Sequence, residues 1–175
     1  AAQPDHRDRV RVLGVGSLND VEGWTLFIDS LAALHDAQGV IVGDGPFRAE
    51  LERYAARVGV PVQFVGFSEA VMSFVRESDV FLATSPSGVT PTIVRSAASA
   101  GVPSVLTRPC LTTDILGHQS LFVSPHLVPD VVAATVRRAL DAPSAEPGVA
   151  AVVPAESGQD RVVQRYLARL LGDAT

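Results

Sequence analysis

Five short stretches combine the residue types that a small-ligand site needs. They are Gly14-Val15-Gly16-Ser17, Gly43-Asp44-Gly45-Pro46, Gly66-Phe67-Ser68, and residues 84–90 and 107–113. Four of the five carry glycines, which let a backbone approach a ligand closely and reach positive φ. Where such a loop runs into a helix start, unpaired N–H groups favour a phosphate or another anion. Turn geometry alone explains any one of these loops. The dinucleotide fingerprint is incomplete, since Asn19 stands where its third glycine belongs.

Other chemistries find less support. His6, His35, His118 and His126 have no metal-ligand spacing and read as surface or loop residues. Ser85 and Ser87 lack a nucleophile-elbow pattern, and no His or Asp follows at a triad position. Cys110 reads as a quiet loop thiol. Asp44 has no partner carboxylate close in sequence, and Trp24 and Phe27 suit core or inter-domain packing better than sugar stacking.

The loops must be held by the elements between them. Short apolar runs alternate with longer amphipathic segments, the pattern of βαβ units and a parallel sheet. Strands are expected over residues 10–15, 39–42, 62–65, 80–83, 104–107 and 120–123. Helices are expected over 24–35, 47–58, 92–100, 129–140 and 159–171, with another opening after Ser68 as its cap. Gly59 suits a helix C-cap, and Pro129 suits a first helical turn, where its missing N–H costs nothing. Residues 141–158, rich in Pro, Ala, Ser and Gly, read as a linker or surface strap, and residues 1–8 as a linker or disordered tail. The expected fold class is α/β: one doubly wound domain over 9–175, about six parallel strands in the order 3-2-1-4-5-6, and helices on both faces.

Composition narrows the function classes. The 175 residues suffice for one domain with a substantial core, and 47% apolar against 19% charged is the balance of a globular chain. A net charge of −5 argues against a nucleic-acid partner. One cysteine precludes an internal disulfide and favours a reducing, cytoplasmic setting. No apolar run approaches the roughly 20 residues of a transmembrane helix. The start at Ala1 rather than Met fits a piece of a longer protein, and arginine in place of lysine fits a high-GC bacterial genome.

In combination the motifs carry more than any one loop. Gly43-Asp44-Gly45-Pro46 before Glu50-Leu51, then Val65-Gly66, then Ser78-Asp79-Val80-Phe81-Leu82, then Ala97 to Val102-Pro103-Ser104-Val105 resemble retaining GT-B glycosyltransferases of family 4. Leu121-Phe122-Val123, the helix opening at Pro129-Asp130 and residues 160–171 agree with that family's closing elements. The resemblance covers residues 9–172 and implies the C-terminal, Rossmann-like half of a two-domain enzyme. That half binds a nucleotide-sugar donor, and an N-terminal acceptor domain or partner subunit completes the cleft. No separate cofactor or metal is implied.

The same resemblance allows a check position by position. The arginine that follows the first-strand glycine, Gly16, is Ser17 here, and the lysine that contacts the donor diphosphate is Glu22. Of the two glutamates after the fourth strand, the ribose-binding one falls on Ser96 and the other on Gly88, or on Ser87 with a one-residue insertion. A Gly-Gly pair falls on Cys110-Leu111, although Asp114 keeps a nearby carboxylate. Gly45, Gly66 (with Phe67 after it) and Pro91 are kept. A unit charge at 4 Å from a phosphate is worth up to about 4 kcal/mol, and a carboxylate's hydrogen bonds about 1.5–3 kcal/mol. These replacements therefore predict weak or lost donor binding. Arg95 and, better placed at a strand's carboxyl end, Arg108 are the nearby cations that can compensate.

Three functions follow from this reading: a donor-binding half of a working transferase, a degenerate non-catalytic domain that scaffolds or stabilises a partner, and another small-ligand Rossmann module. The isolated chain is expected to be inactive, because it lacks the acceptor side of the cleft.

Overall fold

Runs of valine, leucine and isoleucine without polar alternation produce strands buried on both faces, and only a parallel sheet sandwiched by helices accommodates them. The computed structural model describes residues 9–19, 21–85, 89–107, 110, 121–124, 126–142 and 151–152. Among these residues seven strands form one sheet: β1 (Val10–Val15), β2 (Ala37–Val42), β3 (Val62–Gly66), β4 (Val80–Ala83), β5 (Ser104–Thr107), β6 (Leu121–Ser124) and β7 (Ala151–Val152). Their spatial order is β3-β2-β1-β4-β5-β6-β7, and every pairing is parallel. The first six follow the expected order. The seventh is a two-residue addition within the span read as a strap, where Ala151 and Val152 pair with Phe122 and Val123.

Among the described residues five helices lie between the strands: α1 (Val21–Leu34), α2 (Arg48–Val58), α3 (Val71–Arg76), α4 (Pro91–Ser99) and α5 (Pro129–Asp141), with none described between β5 and β6. Neighbouring residues of one strand feed opposite cores, as the two-residue period requires. Val12 and Leu82 pack with Phe27, Ile28, Leu51 and Val132 beneath α1, α2 and α5. Leu13 and Phe81 pack with Val75, Val94 and Ala97 beneath α3 and α4.

Helix ends follow local chemistry. Gly59 caps α2 in the left-handed conformation (φ 79°), its N–H donating to the Ala55 and Ala56 carbonyls. Pro91 and Pro129 occupy the first turns of α4 and α5. Ser68 does not cap α3. Its hydroxyl accepts the Ala70 N–H at 3.1 Å, two residues on, and the helix begins after Ala70. The short side chain closes a local turn before the helix can reach it. On the opposite face, Arg137 of α5 donates to the Leu34 carbonyl and pairs with Asp36 at 2.8 Å, tying α5 to the end of α1.

The final helix expected over 159–171, the tail 1–8, and Asp114 and His118 lie outside the described residues. Within the described residues no helix is long and apolar enough to cross a membrane.

Candidate functional site

The carboxyl ends of the strands carry two adjoining depressions that share Val15, Gly16 and Ser17. The larger, about 330 Å³, lies between the end of β1, the start of α1 and the end of β4, and residues 89–90 close its far side. The smaller, about 280 Å³, lies between the ends of β1, β2 and β3 and includes Asp44, Phe67 and Ser68. This is the edge at which an open α/β sheet offers its loops to a ligand.

The loops after β1 and β2 are laced together by backbone hydrogen bonds. Gly16 N–H donates to the Val42 carbonyl at 3.1 Å, Leu18 N–H to Asp44 at 3.0 Å, and Phe47 N–H back to Leu18 at 3.1 Å. Two glycines make this approach possible. A Cβ on Gly43 would lie 1.8 Å from the Gly16 carbonyl oxygen, and one on Gly45 would lie 2.6 Å from the Leu18 carbonyl. Gly43 N–H also donates to the Gly66 carbonyl at 2.9 Å, so the loops after β2 and β3 are joined as well. Asp44 shapes the turn, its carboxylate accepting the Gly45 N–H at 2.8 Å. These glycines thus serve loop-to-loop contact whether or not a ligand is bound.

Trp24 braces the larger cleft from below. Its ring edge fits against Gly14, where a Cβ would come within 2.7 Å, and it meets Phe27 edge to face at 5.7 Å. Its indole N–H donates to the Ser17 carbonyl at 3.0 Å, which holds the loop over the ring. At 9% exposure it is a packing residue, in keeping with its expected role. On the far side the Thr84 hydroxyl donates to the Gly23 carbonyl at 2.7 Å, fixing the end of β4 to the first turn of α1.

Cys110 is fully buried, its sulfur 3.3 Å from the Ala83 carbonyl, 3.1 Å from that of Ser85 and 3.4 Å from the Thr107 hydroxyl. Burial pushes its thiol pKa up, against the opposing hydrogen bonds from Thr107 and Ser85. It ties the ends of β4 and β5 together, the environment of a buried structural thiol.

No charged side chain is among the described residues that line the larger cleft, and the smaller has only Asp44. Arg48, which pairs with Asp44 at 3.6 Å, is committed elsewhere: it also donates to Glu52 at 2.9 Å and to the Phe64 carbonyl at 2.9 Å. All 14 basic residues of the chain are arginines, so no shift of register supplies a lysine. No group of three or more metal-ligating side chains occurs among the described residues.

The expected positions distribute unevenly around this edge. Gly16 and Ser17 line both depressions and Phe67, 83% exposed, lines the smaller. Gly45 and Gly66 shape the loops, and Pro91 opens α4. Ser96 sits in the middle of α4, half-buried and outside both depressions, and Arg95 is exposed with its guanidinium 3.4 Å from the Thr92 hydroxyl. Glu22 belongs to the first turn of α1. Its side chain, and Ser87, Gly88, Arg108 and Leu111, lie outside the described residues. Asn19 enters the sequence reading only as a departure from the dinucleotide fingerprint and Thr90 only as the last residue of the 84–90 loop, and the fold brings them together at the rim.

Comparison with known proteins agrees with this architecture. Residues 9–142 match the family of glycosyl transferases group 1. Over 123 residues the chain is 35% identical to a GDP-mannose-dependent alpha-(1-6)-phosphatidylinositol dimannoside mannosyltransferase of Mycobacterium tuberculosis, an alignment covering 66% of this chain and 32% of that protein. Among solved structures, Anabaena Alr3699/HepE in complex with UDP and glucose superposes with a TM-score of 0.65 at 20% identity, over 77% of this chain and 39% of that one. The C-terminal domain of a Francisella tularensis group 1 protein, LpcC, superposes with 0.63 at 16% identity, over 89% and 86% respectively. The family match runs unbroken from β1 through α5, and the chain therefore belongs to the group 1 glycosyltransferases, as a Rossmann-like domain of the GT-B kind.

Proposed function

We propose that this chain is the donor-side half of a two-domain glycosyltransferase-like protein, and that its cleft has lost its hold on a nucleotide diphosphate. The domain then acts as a scaffold or as the stabilising partner of an acceptor domain. The observation that carries this reading is the absence of any cation among the described residues of the cleft. A diphosphate brought there exchanges its hydration for neutral hydroxyls and the carboxylate of Asp44, which is a net loss. The chain spans 32% of the length of its mycobacterial relative, which leaves room in such a protein for a second domain. A reducing, cytoplasmic setting belongs to the same proposal, on the strength of the single buried Cys110.

A working donor half is the second reading, favoured by the 35% identity to a GDP-mannose-dependent enzyme. In that case Arg108 supplies the missing charge. Two measurements separate the readings. Product formation from a panel of nucleotide sugars and simple acceptors is expected to stay at the level of a heat-killed control. The variant Ser17→Arg/Glu22→Lys is expected to gain nucleotide diphosphate affinity over the natural chain. Turnover by the natural chain refutes the proposal.

A further inference from the structure

Away from the carboxyl edge of the sheet, α2 turns a polar face outward. Its Leu51 and Ala55 are buried, whereas Ala49, Glu50, Arg53, Ala56 and Arg57 are exposed. At 3.6 residues per turn, Ala49, Arg53 and Ala56 fall on the outermost line, and Glu50 and Arg57 share one flank two turns apart. A depression of about 280 Å³ follows that flank between Glu50, Arg53, Tyr54 and Arg57. None of these residues lines either cleft described above.

The charges of this face are held in place without being paired. Arg53 Nε donates to the Ala49 carbonyl at 3.1 Å, and the Arg57 guanidinium lies 4.9 Å from the centre of the Tyr54 ring. Tyr54 is fixed in turn by its hydroxyl, which donates to the Asp29 carboxylate at 2.8 Å. Arg57 acts on that carboxylate electrostatically but forms no ion pair with it. Glu50, Arg53 and Arg57 enter no ion pair among the described residues, whereas Arg48 and Glu52 of the same helix pair with each other.

Reversal leaves the pattern complementary to itself. When a second copy is turned end for end about an axis beside Arg53, the same flank of each helix meets, as two-fold symmetry requires. Glu50 then faces Arg57 of the second copy, and Arg57 faces Glu50 of the second copy. Ala49 and Ala56, on either side of Arg53, allow the axes to approach to the roughly 8–10 Å of ordinary helix packing. A partner of a single charge sign would satisfy one end of the flank and repel the other.

We infer that the outer face of α2 docks antiparallel on the same face of a second copy of this chain, through two reciprocal Glu50–Arg57 pairs. One helix face falls short of the roughly 1,000 Å² of a stable interface, so the association is weak and reversible. Exposed ion pairs are screened, so it weakens further as salt is added. Arg53, nearest the axis, meets its own copy and opposes the pairing.

Sedimentation equilibrium of the chain at low salt is expected to show a monomer–dimer equilibrium with a dissociation constant on the order of 100 μM. Glu50→Arg and Arg57→Glu each turn both pairs into like-charge contacts, and each is expected to weaken association at least about tenfold. An equal mixture of the two variants is expected to associate again, between unlike chains, and so is the double variant Glu50→Arg/Arg57→Glu. Arg53→Ala is expected to tighten the dimer. Thermal unfolding is followed for every variant. Glu50→Arg alters a side chain without an ion-pair partner among the described residues, so it carries the test by itself if Arg57→Glu, which gives up the Tyr54 contact, fails to fold. A natural chain that stays monomeric up to about 1 mM overturns the inference. So does association that Glu50→Arg leaves intact, or failure of the mixture to associate when both variants are folded.

Discussion

Gly16 and Gly43 meet backbone to backbone: the Gly16 carbonyl oxygen occupies the space that a Cβ on Gly43 would fill, 1.8 Å away. Gly43 also holds φ at +147°, which side-chain-bearing residues rarely adopt. Gly43→Ala is therefore expected to cost about 2–4 kcal/mol, because neither loop can retreat without breaking the lacing between β1 and β2. Gly59→Ala provides the control. Its φ of 79° is also positive but its Cβ would meet open space, so strain alone applies, at about 1 kcal/mol. Urea unfolding of both variants checks the ranking, and equal costs would contradict the proposed contact.

How the cleft was legible in the sequence follows from the same pair. The glycines of residues 14–16 and 43–45 marked the loops correctly, because turn geometry and close approach are local requirements. The apolar runs marked six of the seven strands, because burial on both faces leaves a continuous pattern. The pairing of Asn19 with Thr90, the end of the 84–90 loop, could not be found this way: 71 residues separate them in sequence, and the parallel sheet alone makes them neighbours of one cleft. β7 was missed because two residues of Ala-Val within a Pro- and Ala-rich span show no period. Ser96, placed by resemblance in a donor site, lies on the body of α4 rather than at its mouth.

Trp24 joins the stability of the cleft to that of the core. Trp24→Phe keeps the apolar contacts of the smaller ring but removes the hydrogen bond to the Ser17 carbonyl. A loss of about 1–2 kcal/mol is expected, against about 3–5 kcal/mol for Trp24→Ala. Unfolding followed by far-ultraviolet circular dichroism checks this, since both variants remove the fluorescent probe. Equal losses would mean that the indole N–H, not the ring packing, dominates.

Asp29 gives the fold a pH dependence of defined sign. Burial raises its carboxyl pKa above the ordinary 3.8, opposed by the Tyr54 hydroxyl bonded to it at 2.8 Å and by the charge of Arg57. The native state thus holds this proton more tightly than the unfolded chain. Its contribution to stability is complete below pH 3.8 and is lost as pH rises through the folded-state value. Asp29→Asn keeps an acceptor for Tyr54 and removes the titration. The variant is expected to gain in stability relative to the natural chain between pH 4 and neutrality. Denaturation midpoints across that range check it, and a relative loss toward neutral pH would contradict it.

The central claim is that the cleft does not grip a nucleotide diphosphate, and calorimetry of the natural chain with UDP, GDP and ADP tests it most directly. Lost contacts worth about 4 kcal/mol lower affinity roughly a thousandfold, which turns a micromolar site into a millimolar one. The account predicts no measurable heat at micromolar nucleotide. Saturable micromolar binding of any of the three would contradict it and would point to Arg108 as the cation that restores the site.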